Sequence, residues 1–131
     1  MTDAGREGRG AGSPSSIWLR LEGGAALTAA LILYAGTAES WLLFALLLLV
    51  PDISLVAYLI GPTAGRRAYN AVHSYVGPVL LGVIGPVVTG STVPASVALI
   101  WGAHIGGDRL LGFGLKTTDD FRDTHLGRIG G

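Results

Sequence analysis

Four apolar stretches follow one another along this chain, each close to the ~20 residues that cross a hydrocarbon core, with only short connections between them. They run from Ile17 to Gly36, Trp41 to Ile60, Ala68 to Val88 and Val93 to Phe113. The connections are Thr37–Ser40, Gly61–Arg67 and Thr89–Thr92. Such short links force neighbours to run antiparallel. The expected fold is therefore all-α, an integral membrane four-helix bundle in up-down-up-down order over residues 17–113. A disordered leader over residues 1–16, rich in Gly, Ser and Arg, precedes it, and a short tail over residues 114–131 follows.

Composition supports lipid as the solvent. The chain has 131 residues, half of them hydrophobic, and only 14% charged, whereas soluble domains carry about 25%. Mean hydropathy is +0.53. Net charge is zero, which leaves no field to attract nucleic acid, and no cysteine is present to form disulfides, thiolate sites or nucleophiles.

Orientation follows from the basic residues. Arg6, Arg9 and Arg20 precede or open the first stretch, Arg66 and Arg67 lie in the second connection, and Arg109, Lys116, Arg122 and Arg128 close the chain. In an antiparallel bundle all of these fall on one side, which the positive-inside rule makes cytoplasmic. The expected location is the cell membrane, multi-pass, with both termini in the cytoplasm.

The ionisable residues inside the stretches are segregated. Counting inward at ~1.5 Å per residue, Glu22, His73 and Asp108 lie roughly 7–9 Å deep and Asp52 and His104 roughly 13 Å. With Asn70 they all occupy the cytoplasmic half. Each such group costs about 2.5–3.5 kcal/mol near the bilayer centre, so they are expected to face inward and satisfy one another. His104 and Asp108, four apart, share a helix face, as do Asn70 and His73. The expectation is one polar pocket, with Asp52, His73, His104 and Asp108 as candidate acid–base residues and Glu22, Asn70, Tyr58, Tyr69 and His125 as candidate substrate contacts. Pro51 breaks the second helix, and Asp52 stands ready to cap the half that follows.

Three uses of that pocket compete. Carboxylates and imidazoles from four helices resemble the ligand inventory of di-iron bundles, although the Glu-x-x-His pairs of those bundles are absent. An acid–base enzyme, an isomerase or cyclase, would use the same groups on a lipophilic small molecule from the inner leaflet. A plainer reading is a hydrogen-bonded network that fixes helix register or serves transport. Polar groups reach only halfway across, which disfavours a conducting pore. The residues leave the metal, the cofactor and the reaction undetermined. Partners reduce to the bilayer, a lipophilic molecule and a homo-oligomer through the small-xxx-small pair Gly102 and Gly106. The tail has two readings, a solvated segment or a lid in which Phe121 and Leu126 tuck under the bundle and bring Asp123 and His125 to the pocket mouth.

Several runs carry a resemblance: Pro51-Asp-Ile-Ser, Tyr58-Leu-Ile-Gly-Pro-Thr-Ala-Gly, Tyr69-Asn-Ala-Val-His73-Ser-Tyr, Trp101-Gly-Ala-His-Ile-Gly-Gly-Asp-Arg-Leu-Leu-Gly-Phe-Gly-Leu-Lys116 and Phe121-Arg-Asp-Thr-His-Leu-Gly. Over roughly Trp18 to Gly127 the chain resembles a bacterial membrane family catalogued as domain of unknown function 4260. The resemblance implies a small multi-pass membrane protein, with Asp52, Asn70, His73, His104, Asp108 and His125 among its motif positions. It carries no activity or cofactor.

Overall fold

Prolines and serines set where the helices begin. A computed structural model describes residues 13–130; of the expected leader, residues 1–12 lie outside the described residues. Helix α1, Pro14–Ala35, starts three residues before the expected Ile17, because Ser13 caps it and Pro14 occupies its first turn. The Ser13 hydroxyl accepts the Ser16 amide at 3.2 Å. Helix α2, Trp41–Leu47, is capped in the same way by Ser40, which accepts the Leu43 amide at 3.1 Å.

The second apolar stretch is not one α-helix. Pro51 lacks an amide hydrogen, and the chain tightens into a 3-10 helix over Val50–Leu59. Ten residues is far longer than the usual 3–4 of such runs. Together Trp41–Leu59 still reads as one helical segment long and apolar enough to span a membrane, as does Pro14–Ala35.

The third stretch departs further from expectation. Gly61–Arg67, expected as a connection, is helical from Pro62, so α3 spans Pro62–Val72. The helix then stops at His73, and α4, Val76–Thr89, leaves at an angle of 48°. Pro78 suits the break: it sits in the first turn of the new helix, where its missing amide hydrogen costs no bond, whereas Pro86 lies inside α4. The bent pair supplies a third span if counted as one. Helix α5, Val93–Leu111, is the fourth stretch. It is not among the spans that qualify by length and apolarity, because the polar residues His104, Asp108 and Arg109 lower its hydropathy. Seven of its residues are buried. The described residues are thus mostly helical, with two helices among them suited to crossing a membrane, or three if the bent pair counts as one.

Glycines set how closely α1 and α5 approach. A Cβ on Gly106 would stand 2.6 Å from the Gly23 carbonyl oxygen, so the two backbones touch. Gly106 therefore serves contact within the chain, while Gly102 faces open space. Helix α4 also packs on α5, with Gly77 under the Trp101 ring, and α3 packs on the 3-10 helix, with Gly65 against Tyr58. At the far end Tyr34, Trp41 and Phe44 form an aromatic cluster with centroids 5.0–5.2 Å apart, beside Ala30, Ile100 and Ala103.

The outside is oily. Leu59, Ile60 and Val87 are more than four-fifths exposed, and many other large aliphatic side chains are exposed along α1, α2 and α4. Soluble monomers rarely display apolar surface on this scale. The helices are membrane-like in their apolar surface.

The tail is folded. Strands β1, Asp123–Thr124, and β2, Gly127–Arg128, form an antiparallel hairpin with Thr124 opposite Gly127. Leu126 at its turn is buried, and its carbonyl accepts the Ser16 hydroxyl at 2.7 Å.

Candidate metal centre

Each break in a helix delivers one side chain to a common point. Asp52 lies in the first turn of the 3-10 helix, His73 at the stop of α3, and His104 and Asp108 one turn apart on α5. One ligand atom from each of the four lies within 4.8 Å of the others. His73 Nε2 is 3.2 Å from Asp52 Oδ1, 3.1 Å from His104 Nε2 and 3.5 Å from Asp108 Oδ2. His104 Nε2 is 3.2 Å from Asp52 Oδ1 and 3.3 Å from Asp108 Oδ2. Both imidazoles are buried.

The ring orientations decide what these atoms present. His73 Nδ1 donates to the Tyr69 carbonyl at 3.0 Å, and the backbone of Leu48 partners the His104 ring. With Nδ1 carrying the proton, Nε2 of a neutral ring presents a lone pair. Four acceptor atoms then converge with no donor among them. Such convergence is repulsive unless a cation, or extra protons, sits between.

The distances suit a cation. A charge-assisted imidazolium–carboxylate pair closes to about 2.7–2.9 Å, whereas His73 reaches Asp52 at 3.2 Å, the long end of hydrogen-bond range. The edge of a tetrahedron is about 1.63 times the metal–ligand distance, which for nitrogen and oxygen on zinc gives ~3.3–3.4 Å. The observed separations bracket that edge. Two carboxylates and two neutral imidazoles also sum to a charge that a divalent ion cancels.

The surroundings orient the ligands, as outer groups do around metal sites. The Tyr69 ring stacks on His73 at 3.9 Å and 7°. Where α3 stops, freed carbonyls need partners: the Trp101 indole donates to Val72 at 2.7 Å, and Arg109 Nη2 donates to His73 at 3.1 Å. Lys116 is buried with its ammonium over the Tyr69 and Phe121 rings, donating to the Phe121 carbonyl at 2.8 Å. Burial pushes its pKa below the usual lysine range, against the pull of the Asp108 carboxylate.

Other candidate residues fall elsewhere. Glu22 is exposed, because Gly23 beside it takes the face of α1 that meets α5, and it does not join the cluster. Asn70 holds the tail, donating to the Lys116 carbonyl at 2.8 Å and accepting the Lys116 amide at 2.6 Å. Tyr58 packs edge-on against Phe121 at 5.5 Å. Asp52 does not cap the 3-10 helix, whose N-cap Leu49 has no side-chain cap; its carboxylate turns to the histidines instead. His125 is exposed in the hairpin turn and accepts the Leu115 amide on Nδ1 at 2.8 Å. That places its own proton on Nε2, so the 3.3 Å approach of Arg109 Nη1 is contact rather than a hydrogen bond. Asp123 pairs with Arg128 at 2.6 Å and Thr118 at 2.9 Å, away from the cluster.

Arg109, Lys116 and Trp101 are the residues that sequence reasoning undervalued. The first two served only as markers of sidedness. Arg109 follows Asp108 directly, and Trp101 sits three residues before His104, spacings that place them beside the cluster once it is recognised.

No curated protein and no solved structure matches the chain. Residues 16–129 match the family described as Domain of unknown function (DUF4260), and the chain belongs to that family.

Proposed function

We propose that this chain is a membrane-embedded metalloprotein that holds one first-row divalent ion, of the zinc or ferrous type, between Asp52, His73, His104 and Asp108. The observation that carries the reading is the five distances that involve an imidazole, 3.1–3.5 Å, with all four ligand atoms within 4.8 Å of one another and the rings turned by backbone to present lone pairs. Imidazole and carboxylate together suit these metals. The Asp52 side chain is 41% exposed, against 3% for His73 and 4% for His104. Ligand exchange therefore belongs on the Asp52 side, where a bound water would gain acidity and serve a metal-dependent enzyme acting on a lipophilic substrate.

The same reading keeps four crossings, antiparallel, with the bent α3–α4 pair as the third and α5 as the fourth. The basic residues then share one face, and both termini lie in the cytoplasm. The centre sits toward that face.

Elemental analysis of protein purified in detergent after metal-replete expression tests the proposal. One equivalent of metal is expected in the native chain and none in the His73→Ala, His104→Ala double variant. Native protein that is folded yet metal-free ends the proposal in favour of a proton-holding network.

A further inference from the structure

Beside the cluster lies a groove of about 450 Å³ walled by Leu47, Pro51, Ile53, Val72, Ile100 and Trp101. Pro51 and Val72 are the immediate chain neighbours of Asp52 and His73, and Trp101 precedes His104 by less than one turn. The groove is therefore walled by residues from the three elements that carry the proposed ligands, beside the centre rather than lined by it.

Its chemistry is one-sided. Ser54 supplies the one lining side-chain hydroxyl, and this donates to the Pro51 carbonyl at 2.8 Å. The Trp101 indole is committed to Val72. No donor is left for a polar guest, and desolvating one there would go uncompensated. The volume lies within the ~300–1,000 Å³ typical of small-molecule sites. A helix ~10 Å across would fill it in about one turn, too little to seat a partner helix. Val50 and Ile53 at the rim are exposed, so the opening faces the same surroundings as the oily exterior.

We infer that this groove takes a single acyl chain of a membrane lipid and lays the polar end of that lipid against the metal centre on the Asp52 side. This inference rests on the metal reading for the position of the polar end, and on the groove alone for the hydrocarbon.

Photolabelling separates the two. The full chain, reconstituted in phosphatidylcholine nanodiscs containing a palmitoyl phosphatidylcholine with a diazirine on its acyl chain, is irradiated and the labelled residues are mapped. Labelling of Leu47–Ser54 and Val97–Trp101 is expected to exceed that of the plainly exposed Val83–Val87 segment. In Ser54→Trp, which fills the groove, the excess should fall roughly tenfold, with metal content unchanged. Val97→Phe serves the same purpose if Ser54→Trp fails to fold. Uniform labelling in native protein, or an excess untouched by both folded variants, overturns the inference while leaving the metal reading intact. Selective labelling of a metal-free native chain overturns the placement of the polar end together with the centre.

Discussion

The Nε2 atoms of His73 and His104 face one another at 3.1 Å, with the carboxylates of Asp52 and Asp108 directed at the space between them. Each ring's other nitrogen is engaged by backbone. The pair needs a cation or an added proton among the four groups, and the cation alternative sets the first prediction.

Metal should stabilise the fold by mass action. With free zinc at about 100 times its dissociation constant the gain is about 2.7 kcal/mol. Unfolding of the native chain in mixed micelles should shift accordingly on adding zinc and shift back with a chelator. Asp108→Asn should flatten the response. A midpoint indifferent to both metal and chelator would sink the idea.

Trp101→Phe keeps an aromatic body on Gly77 but removes the donor to the Val72 carbonyl. An enclosed carbonyl left without a partner costs about 1–3 kcal/mol. Denaturant titration should read that loss. Equal stability would mean that water replaces the indole at the break between α3 and α4.

The two glycines of the Gly102–Gly106 pair should behave differently. A methyl on Gly106 meets the Gly23 oxygen and, at 2.8 Å, the Leu27 amide nitrogen, whereas nothing lies near one on Gly102. Gly106→Ala should destabilise by about 1–3 kcal/mol through overpacking, and Gly102→Ala should stay within about 0.5 kcal/mol. Equal effects would refute close contact of α1 with α5.

The tail should loosen in acid. Desolvation of the inner part of the ring, aided by the Arg109 cation, holds the His125 pKa below its ordinary value. A lowered histidine pKa favours the neutral ring in the folded state. The contribution is therefore present above the unfolded value of ~6.5 and is lost as pH falls from there through the lower folded-state value. Hydrogen exchange at the Leu115 amide, corrected for intrinsic rates, should quicken over that range and lose its pH dependence in His125→Gln. Retention of the dependence in that variant would assign it to another group. Asn70→Ala should open the same segment at neutral pH, exposing Lys116 to trypsin.

Much of this was readable in the sequence, and the exceptions are instructive. Length and apolarity placed the helical stretches, and the expense of submerged charge predicted that Asp52, His73, His104 and Asp108 would meet. Spacing of four put His104 and Asp108 on one face. Glu22 was misplaced because depth along a helix says nothing about azimuth: Gly23, one residue on, owns the inward face. The α3–α4 break was missed because a short polar dip such as His73-Ser74-Tyr75 also fits the interior of a single span, while Pro78 acts through an absent hydrogen bond. The hairpin was missed because its stability comes from long-range contacts such as Ser16 with Leu126, which no local pattern records.

Asp52 and His73 belong to a pair of elements, the 3-10 helix and α3, that pack chiefly on each other, while His104 and Asp108 belong to α5, which packs chiefly on α1 and α4. Each half of the molecule therefore contributes one imidazole and one carboxylate, and an ion held by all four works as a rivet through the seam. Without such an ion the halves would keep their own packing but lose that tie, so on the metal reading an emptied centre should split a single unfolding transition into two, the 3-10–α3 half yielding first.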